Sequence, residues 1–360
     1  MSTYTSIIKP VLFKQDPERV HNSITKIGVL LGKTPVTRAI LRSMFYFRHH
    51  ALECQVAGID FDNPIGLAAG FDKNAQMYNI FPEIGFGFAE LGSITGEPCA
   101  GNPKPRLFRV PNEKSIIVNY GLCNEGCEVI AERLKDVHFK IPIGLSIART
   151  NNPSLTIEQG IQDYRKAYKT MHPLGSYTTI NVSCPNTPDD QAFGNPRNMA
   201  SLLNVLAKEK HLRPVFVKIK PDYTMSELQE IIDIVEKHEW ITGFILTNLT
   251  KQREGLATSK KELDKISPKG GLSGLPTQEK SKETLKQVHK RTHKILIGCG
   301  GTFTGKDAYD KIKNGASLIQ LVTALIYEGP GVISRINKEL VNLIQKDGFG
   351  SIREVIRARS

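Results

Sequence analysis

Eight short apolar runs, each ending on glycine or a polar residue, constrain this 360-residue chain more than any other feature. They occupy 65–69, 88–93, 143–147, 178–182, 215–219, 243–248, 295–299 and 318–322. Helical or loop segments separate them, for example 201–210, 225–238, 278–291 and 306–314. Buried strands alternating with amphipathic segments describe a parallel sheet flanked by helices. Eight such units over about 260 residues match the usual size of a (β/α)₈ barrel. An open doubly wound sheet would share the alternation, but the first strand-to-helix turn, Ala68-Ala69-Gly70-Phe71-Asp72, lacks the G-x-G-x-x-G dinucleotide pattern. The expected fold is α/β, a (β/α)₈ TIM barrel with an N-terminal amphipathic helical extension.

Residues 1–50 form that extension, and 51–360 the barrel domain. Apolar residues recur at helical spacing at Ile7, Ile8, Val11 and Leu12, at Val20, Ile24, Ile27, Leu30 and Leu31, and at Ile40, Leu41, Met44 and Phe45. Gly32 and Pro35 are expected to break the helices, and 58–64 to link them to the barrel. The formal net charge is +12 and the pI near 9.3, which suits a polyanionic partner, nucleic acid or an acidic membrane surface. Residues 1–50 hold eight Lys or Arg against Asp16 and Glu18, half of the excess. The helices could lie in a membrane interface, but on the residues alone packing of their apolar stripes on the main domain is the preferred reading, because most amphipathic helices are ordinary core helices.

In a barrel of this kind, reacting groups stand at the C-terminal strand ends. Those ends carry Ala69, Gly70 and Lys73, then Ser93, Ser146, Asn181 and Cys184, Lys218, Thr247 and Asn248, the 298–301 glycine turn, and Val322 with Thr323. The stretch Tyr177 to Pro188 is the densest: a β-branched strand stops where Pro185 and Pro188 forbid further ladder bonds, and Asn181, Cys184 and Asn186 crowd its end. Free cysteine is often only a small buried hydrophobe. Lys218, at the end of an apolar strand, needs a partner. A flavin whose reduced ring is anionic would supply one, as would a buried carboxylate. The glycine turn after strand seven, the segment after strand eight and Gly270–Gly274 offer a phosphate-binding end.

Six scattered cysteines suit a reducing compartment rather than a disulfide scaffold. The lone Cys123/Cys127 pair has no second pair or histidines at matching spacing, so no metal site is expected. No run reaches the ~18–20 apolar residues of a spanning helix.

With those blocks in view, the chain resembles class 2 dihydroorotate dehydrogenases, membrane-associated, quinone-reducing FMN enzymes of pyrimidine synthesis. The resemblance runs through Asp16-Pro17-Glu18-Arg19-Val20-His21, 63–73, 101–109, 181–187, 217–222, 270–274 and 315–320. It implies FMN held by Ala69, Gly70, Lys73, Ser93, Asn181, Lys218, Thr247, Gly274, Gly301, Val322 and Thr323. It implies dihydroorotate met by Lys73, Asn119, Asn181, Asn186 and Asn248, and Cys184 as the base that removes the C5 proton while a hydride leaves C6. Arg109 matches an arginine near the quinone path. Residues 1–50 become a peripheral membrane contact on the cytoplasmic face, with no nucleic-acid role.

The chain also departs from the family pattern. The class 2 base is serine, whereas Cys184 is the residue type of the soluble class 1 enzymes; a free thiol is only about 3% ionised at neutral pH. The segment Asn-Arg-x-Gly-Phe-Asn reads Val118-Asn119-Tyr120-Gly121-Leu122-Cys123, so the first asparagine is lost or displaced to Asn119. Ser146 stands for an asparagine, Ala148-Arg149-Thr150 for Gly-Lys-Asn, Leu249 for a threonine and Val322 for a tyrosine. These changes leave open an FMN oxidoreductase acting on another small ring compound, or a silent membrane-associated homologue.

Overall fold

The computed structural model describes residues 3–186 and 192–358; Thr187 and Pro188 of the central stretch lie outside them. Strands β1 (Ile65–Leu67), β2 (Phe88–Ile94), β3 (Ile143–Ile147), β4 (Tyr177–Asn181), β5 (Val215–Ile219), β6 (Gly243–Leu246), β7 (Ile295–Cys299) and β8 (Ala316–Leu321) close into a parallel barrel in chain order. β8 returns to β1 through the pairs Ile319–Ile65 and Leu321–Leu67. The open doubly wound alternative is thereby excluded.

Side-chain volume sets the details. The ring of Phe88 fills the space beside Gly66, where a Cβ would stand 2.3 Å from it, so only glycine fits on β1. Deeper in, Glu90 Oε2 accepts from Thr179 Oγ1 (2.8 Å), Gln320 Nε2 (2.8 Å) and the Tyr177 hydroxyl (3.3 Å). The barrel interior is therefore a packed polar network and not a channel.

Several expected boundaries shift. The helix expected at 201–210 runs over Pro196–Leu206, because Asn195 accepts from Arg197 N and Pro196 takes the first turn. The 58–64 link is half of a hairpin, Cys54–Val56 with Ile59–Phe61. Its Phe61 packs edge-on against Phe88 at 5.4 Å and covers the N-terminal end of the barrel.

The extension forms α1 (Pro17–Lys33) and α2 (Pro35–Phe45), with the break at Thr34. Asp16 caps α1 by accepting from Arg19 N at 2.8 Å. Gly32, expected as a breaker, lies inside α1 and lets it approach Asn79 and Ile80, as Gly28 does Met77. Glu18 and Arg106, both nearly buried, join α1 to the barrel at 2.9 Å. Arg106→Ala would leave Glu18 with only the exposed Lys104 at 3.6 Å. We expect a loss of about 3 kcal/mol, read as a lower midpoint in urea unfolding.

Candidate active site

Two connected cavities open at the C-terminal strand ends. Ala69, Gly70, Lys73, Ser93, Asn181, Cys184, Asn186, Lys218, Asn248, Val322 and Thr323 line the first. Thr247, Gly274 and Gly301 line the second, which shares Ala69, Lys218, Asn248, Leu249, Ser273, Val322 and Thr323 with it. Together they form one slot across the barrel mouth. The Cys184 sulfur that the sequence singled out thus belongs to a residue on the central cavity. Asn119 is the exception: it is not among the lining residues, and its side-chain oxygen accepts from Asn102 Nδ2 at 3.1 Å.

Local structure positions each group. The turn after β1 is locked by Asp72, whose carboxylate accepts from Gln76 N (2.9 Å) and Met77 N (2.7 Å), and this presents Lys73. Register places Asn181 beside Lys218 at the ends of β4 and β5. Asn181 Nδ2 donates to Ser93 Oγ at 2.9 Å, and Asn248 Nδ2 donates to Asn181 Oδ1 at 3.2 Å. Ser146, where the family pattern has asparagine, contacts Ser93 Oγ at 2.8 Å and stays in this network. Asn186 Oδ1 is buried without a hydrogen-bond partner among the described residues, and Asn186 is one of the residues lining the cavity. Lys218 lies 3.8 Å from Glu90 Oε1 while also lining the slot, so the buried-carboxylate alternative holds alongside access to a ligand.

Electrostatics separate the titratable groups. Burial pushes the Cys184 thiol up to about 11; the Asn186 backbone N–H and Lys251 pull only partly the other way. Desolvation lowers Lys73 to about 8. Burial, helped by the Lys73 charge, lowers His21 to about 3. His21 is therefore neutral, and its Nε2, 3.0 Å away, accepts from the Lys73 ammonium. The Lys73 ammonium also stands 4.0 Å over the Tyr120 ring.

The sequence reading gave no role to His21, Tyr120 or the sheet above them. That sheet, Leu107–Val110, Ser115–Val118 and Gly271–Leu272, is antiparallel and sets Leu107 and Ile116 in the cavity wall. The short apolar, β-branched runs at 107–110 and 115–118 were the available signal. His21, Phe71, Leu107, Ile116 and Ile326 are shared with an apolar cavity of about 250 Å³ under α1 and α2. Arg109 is on its wall, donating to Gln15 O at 2.8 Å.

A family model described as dihydroorotate dehydrogenase matches residues 51–344. The chain belongs to the dihydroorotate dehydrogenase family. A dihydroorotate dehydrogenase (quinone) from Christiangramia forsetii is 39% identical over 344 residues, covering 94% of this chain and 98% of that one. Another from Nostoc punctiforme is 37% identical, covering 99% and 98%. Among solved structures, the dihydroorotate dehydrogenase of Eimeria tenella in complex with ferulenol superposes with TM-score 0.82 at 30% identity, covering 95% of each chain. Its ligand-free form gives 0.84 at the same identity, covering 95% of this chain and 98% of that one. The match to quinone-type dihydroorotate dehydrogenases spans the extension as well as the barrel.

Proposed function

We propose that this chain oxidises dihydroorotate to orotate and passes the electrons to a membrane quinone, with FMN as the resident cofactor. The observation that carries this reading is the pair of cavities meeting at His21: a slot holding a thiol and two lysines, and an apolar chamber roofed by the extension.

The slot fits FMN. A Cβ on Gly70 would meet nothing within 4 Å, so that edge of the slot is open floor. Among the described residues, Asn186 Oδ1 at one end and Thr302 Oγ1, beside the Gly300–Gly301 turn at the other, have no hydrogen-bond partner. Ala69, Gly70, Lys73, Ser93, Asn181, Lys218, Thr247, Gly274, Gly301, Val322 and Thr323 would hold the cofactor. A bound FMN supplies a two-electron acceptor that quinone can reoxidise. The remaining roles belong to the chain. Lys73 offers its ammonium to the substrate carboxylate, with Asn186 and Asn248 beside it. Cys184 takes the C5 proton as the C6 hydride leaves. Lys218 places positive charge where negative charge accumulates.

Ile27 (50% exposed), Leu30 (63%), Val36 (69%), Ile40 (54%) and Met44 (65%) expose apolar surface on α1 and α2 among basic residues. Among the described residues no helix is long and apolar enough to cross a membrane. We take residues 1–50 as a peripheral contact that delivers quinone to the apolar chamber.

The experiment separates the half-reactions. Val20 lines only the apolar cavity of the two, and Val20→Trp should fill part of it. Anaerobic dihydroorotate should still bleach the flavin at the wild-type rate, while reoxidation by quinone slows by about tenfold or more. A flavin that dihydroorotate never bleaches, but another dihydropyrimidine or ring acid does, would move the assignment to a different substrate. Quinone reoxidation at the wild-type rate would remove the chamber from the electron path.

A further inference from the structure

The residues lining the slot are of two kinds. Lys73, Asn181, Asn186 and Asn248 bring an ammonium and amides, whereas Val118, Leu122 and Leu249 bring only hydrocarbon. All three of the latter are half-buried, so they keep surface that the core does not cover. The roles assigned above use the first kind and leave the second idle.

Three separate segments build this apolar wall. Val118 ends the strand Ser115–Val118 and pairs in register with Gly271. A Cβ on Gly271 would stand 2.6 Å from Leu249 Cβ and 3.0 Å from Pro185 Cγ, so glycine there lets the loops after β4 and β6 close on the same strand. Leu249 thus meets Pro185, the residue that follows Cys184. Leu122 reaches the slot from a turn held at φ 59°, a left-handed conformation that a bulky residue adopts only at a cost. Asn124 Nδ2 fixes that turn by donating to Leu122 O at 2.8 Å. The amide of this stretch that would make the wall polar, Asn119, is held by Asn102 instead.

A cavity surface of this kind is satisfied by a ligand's carbon atoms, not by its hydrogen-bonding groups. Around the dihydroorotate ring run N–H groups, carbonyls and a carboxylate; its only methylene is C5, the atom that Cys184 deprotonates. We propose that Val118, Leu122 and Leu249 are specificity-determining residues that face C5, and that the slot accepts dihydroorotates carrying a small alkyl group there at least as well as the unsubstituted ring. The inference rests on the reading of dihydroorotate oxidation above and adds to it the substituent that the wall recognises. The chemistry is unchanged. A 5-alkyl ring keeps one C5 proton, which passes to the Cys184 sulfur; a hydride leaves C6 with its electron pair for the flavin, the C5–C6 double bond forms, and quinone takes the electrons in turn.

The test reads anaerobic flavin bleaching of the full-length, FMN-loaded chain by dihydroorotate and by both C5 diastereomers of 5-methyldihydroorotate. In the wild type the second-order rate constant for the better diastereomer should equal or exceed that for dihydroorotate. One methylene in an apolar pocket changes discrimination by about 10–200-fold, so Leu249→Thr and the near-isosteric Val118→Thr should each lower the ratio of methylated to unmethylated rate constants by about tenfold. The dissociation constants of orotate and 5-methylorotate, which bind without turning over, should show the same change. A wild-type ratio below one, or a ratio that neither substitution alters, would overturn the inference and leave dihydroorotate oxidation standing. A wild-type flavin that none of these compounds bleaches would instead sink the reading of dihydroorotate oxidation, and this inference with it.

Discussion

Replacing Cys184 by alanine should slow flavin reduction by dihydroorotate by about 10³-fold while leaving the flavin bound, because general-base catalysis contributes about 10²–10⁴-fold. Cys184 lines the substrate side of the slot and not the end formed by Gly274 and Gly301. The wild-type pH profile is the sharper measurement. Burial holds the thiol near 11, so only about 10⁻⁴ of it is thiolate at pH 7. Flavin reduction at saturating dihydroorotate should therefore rise about tenfold per pH unit from neutrality toward 11.

Lys73 acts with the opposite sign. Its folded pKa is depressed to about 8, so the ammonium that meets the substrate carboxylate is present below 8 and lost above it. Dihydroorotate affinity should weaken above about 8 while the saturated rate still climbs. The second-order rate constant for flavin reduction should then rise to about pH 8 and level off beyond it. A saturated rate that is flat between pH 6 and 9, or a Cys184→Ala variant that bleaches normally, would place the proton acceptor elsewhere.

How far the sequence reaches is visible in these same residues. Cys184, Asn181, Lys218 and Lys73 were legible because a strand end is a position that periodicity locates: apolar alternation marks where β4 and β5 stop, and parallel register then sets Asn181 beside Lys218. Asn119 lies off the slot for a related reason. A one-residue displacement in an extended segment turns a side chain to the other face, and there Asn102 engages it. His21 was invisible to periodicity because it sits on the apolar side of a helix whose stripe fits several packings equally well. Only the fold brings it 3.0 Å from Lys73, which is 52 positions away in the chain.

The same contact changes what removal of the extension should do. A purely peripheral extension would be dispensable for the substrate half-reaction, and deletion of residues 1–50 would impair long-chain quinones while sparing soluble dyes. Here α1 supplies both His21, the acceptor for Lys73, and Glu18, the partner of Arg106. Deletion takes away the roof of the apolar chamber and also releases Lys73 to water. Hydrogen bonds to charged groups contribute about 1.5–3 kcal/mol, so dihydroorotate binding should weaken by about tenfold or more. Reduction of a long-chain quinone, which loses its chamber as well, should fall by a further factor of about ten. His21→Ala in the full-length chain isolates the first effect: it should raise the dissociation constant for dihydroorotate, read by flavin bleaching, while keeping most of the quinone reoxidation rate. Equal loss for quinone and dye in the deletion, with no change in dihydroorotate affinity for His21→Ala, would reduce the extension to packing, because both cavities would then be working without the helix that walls them.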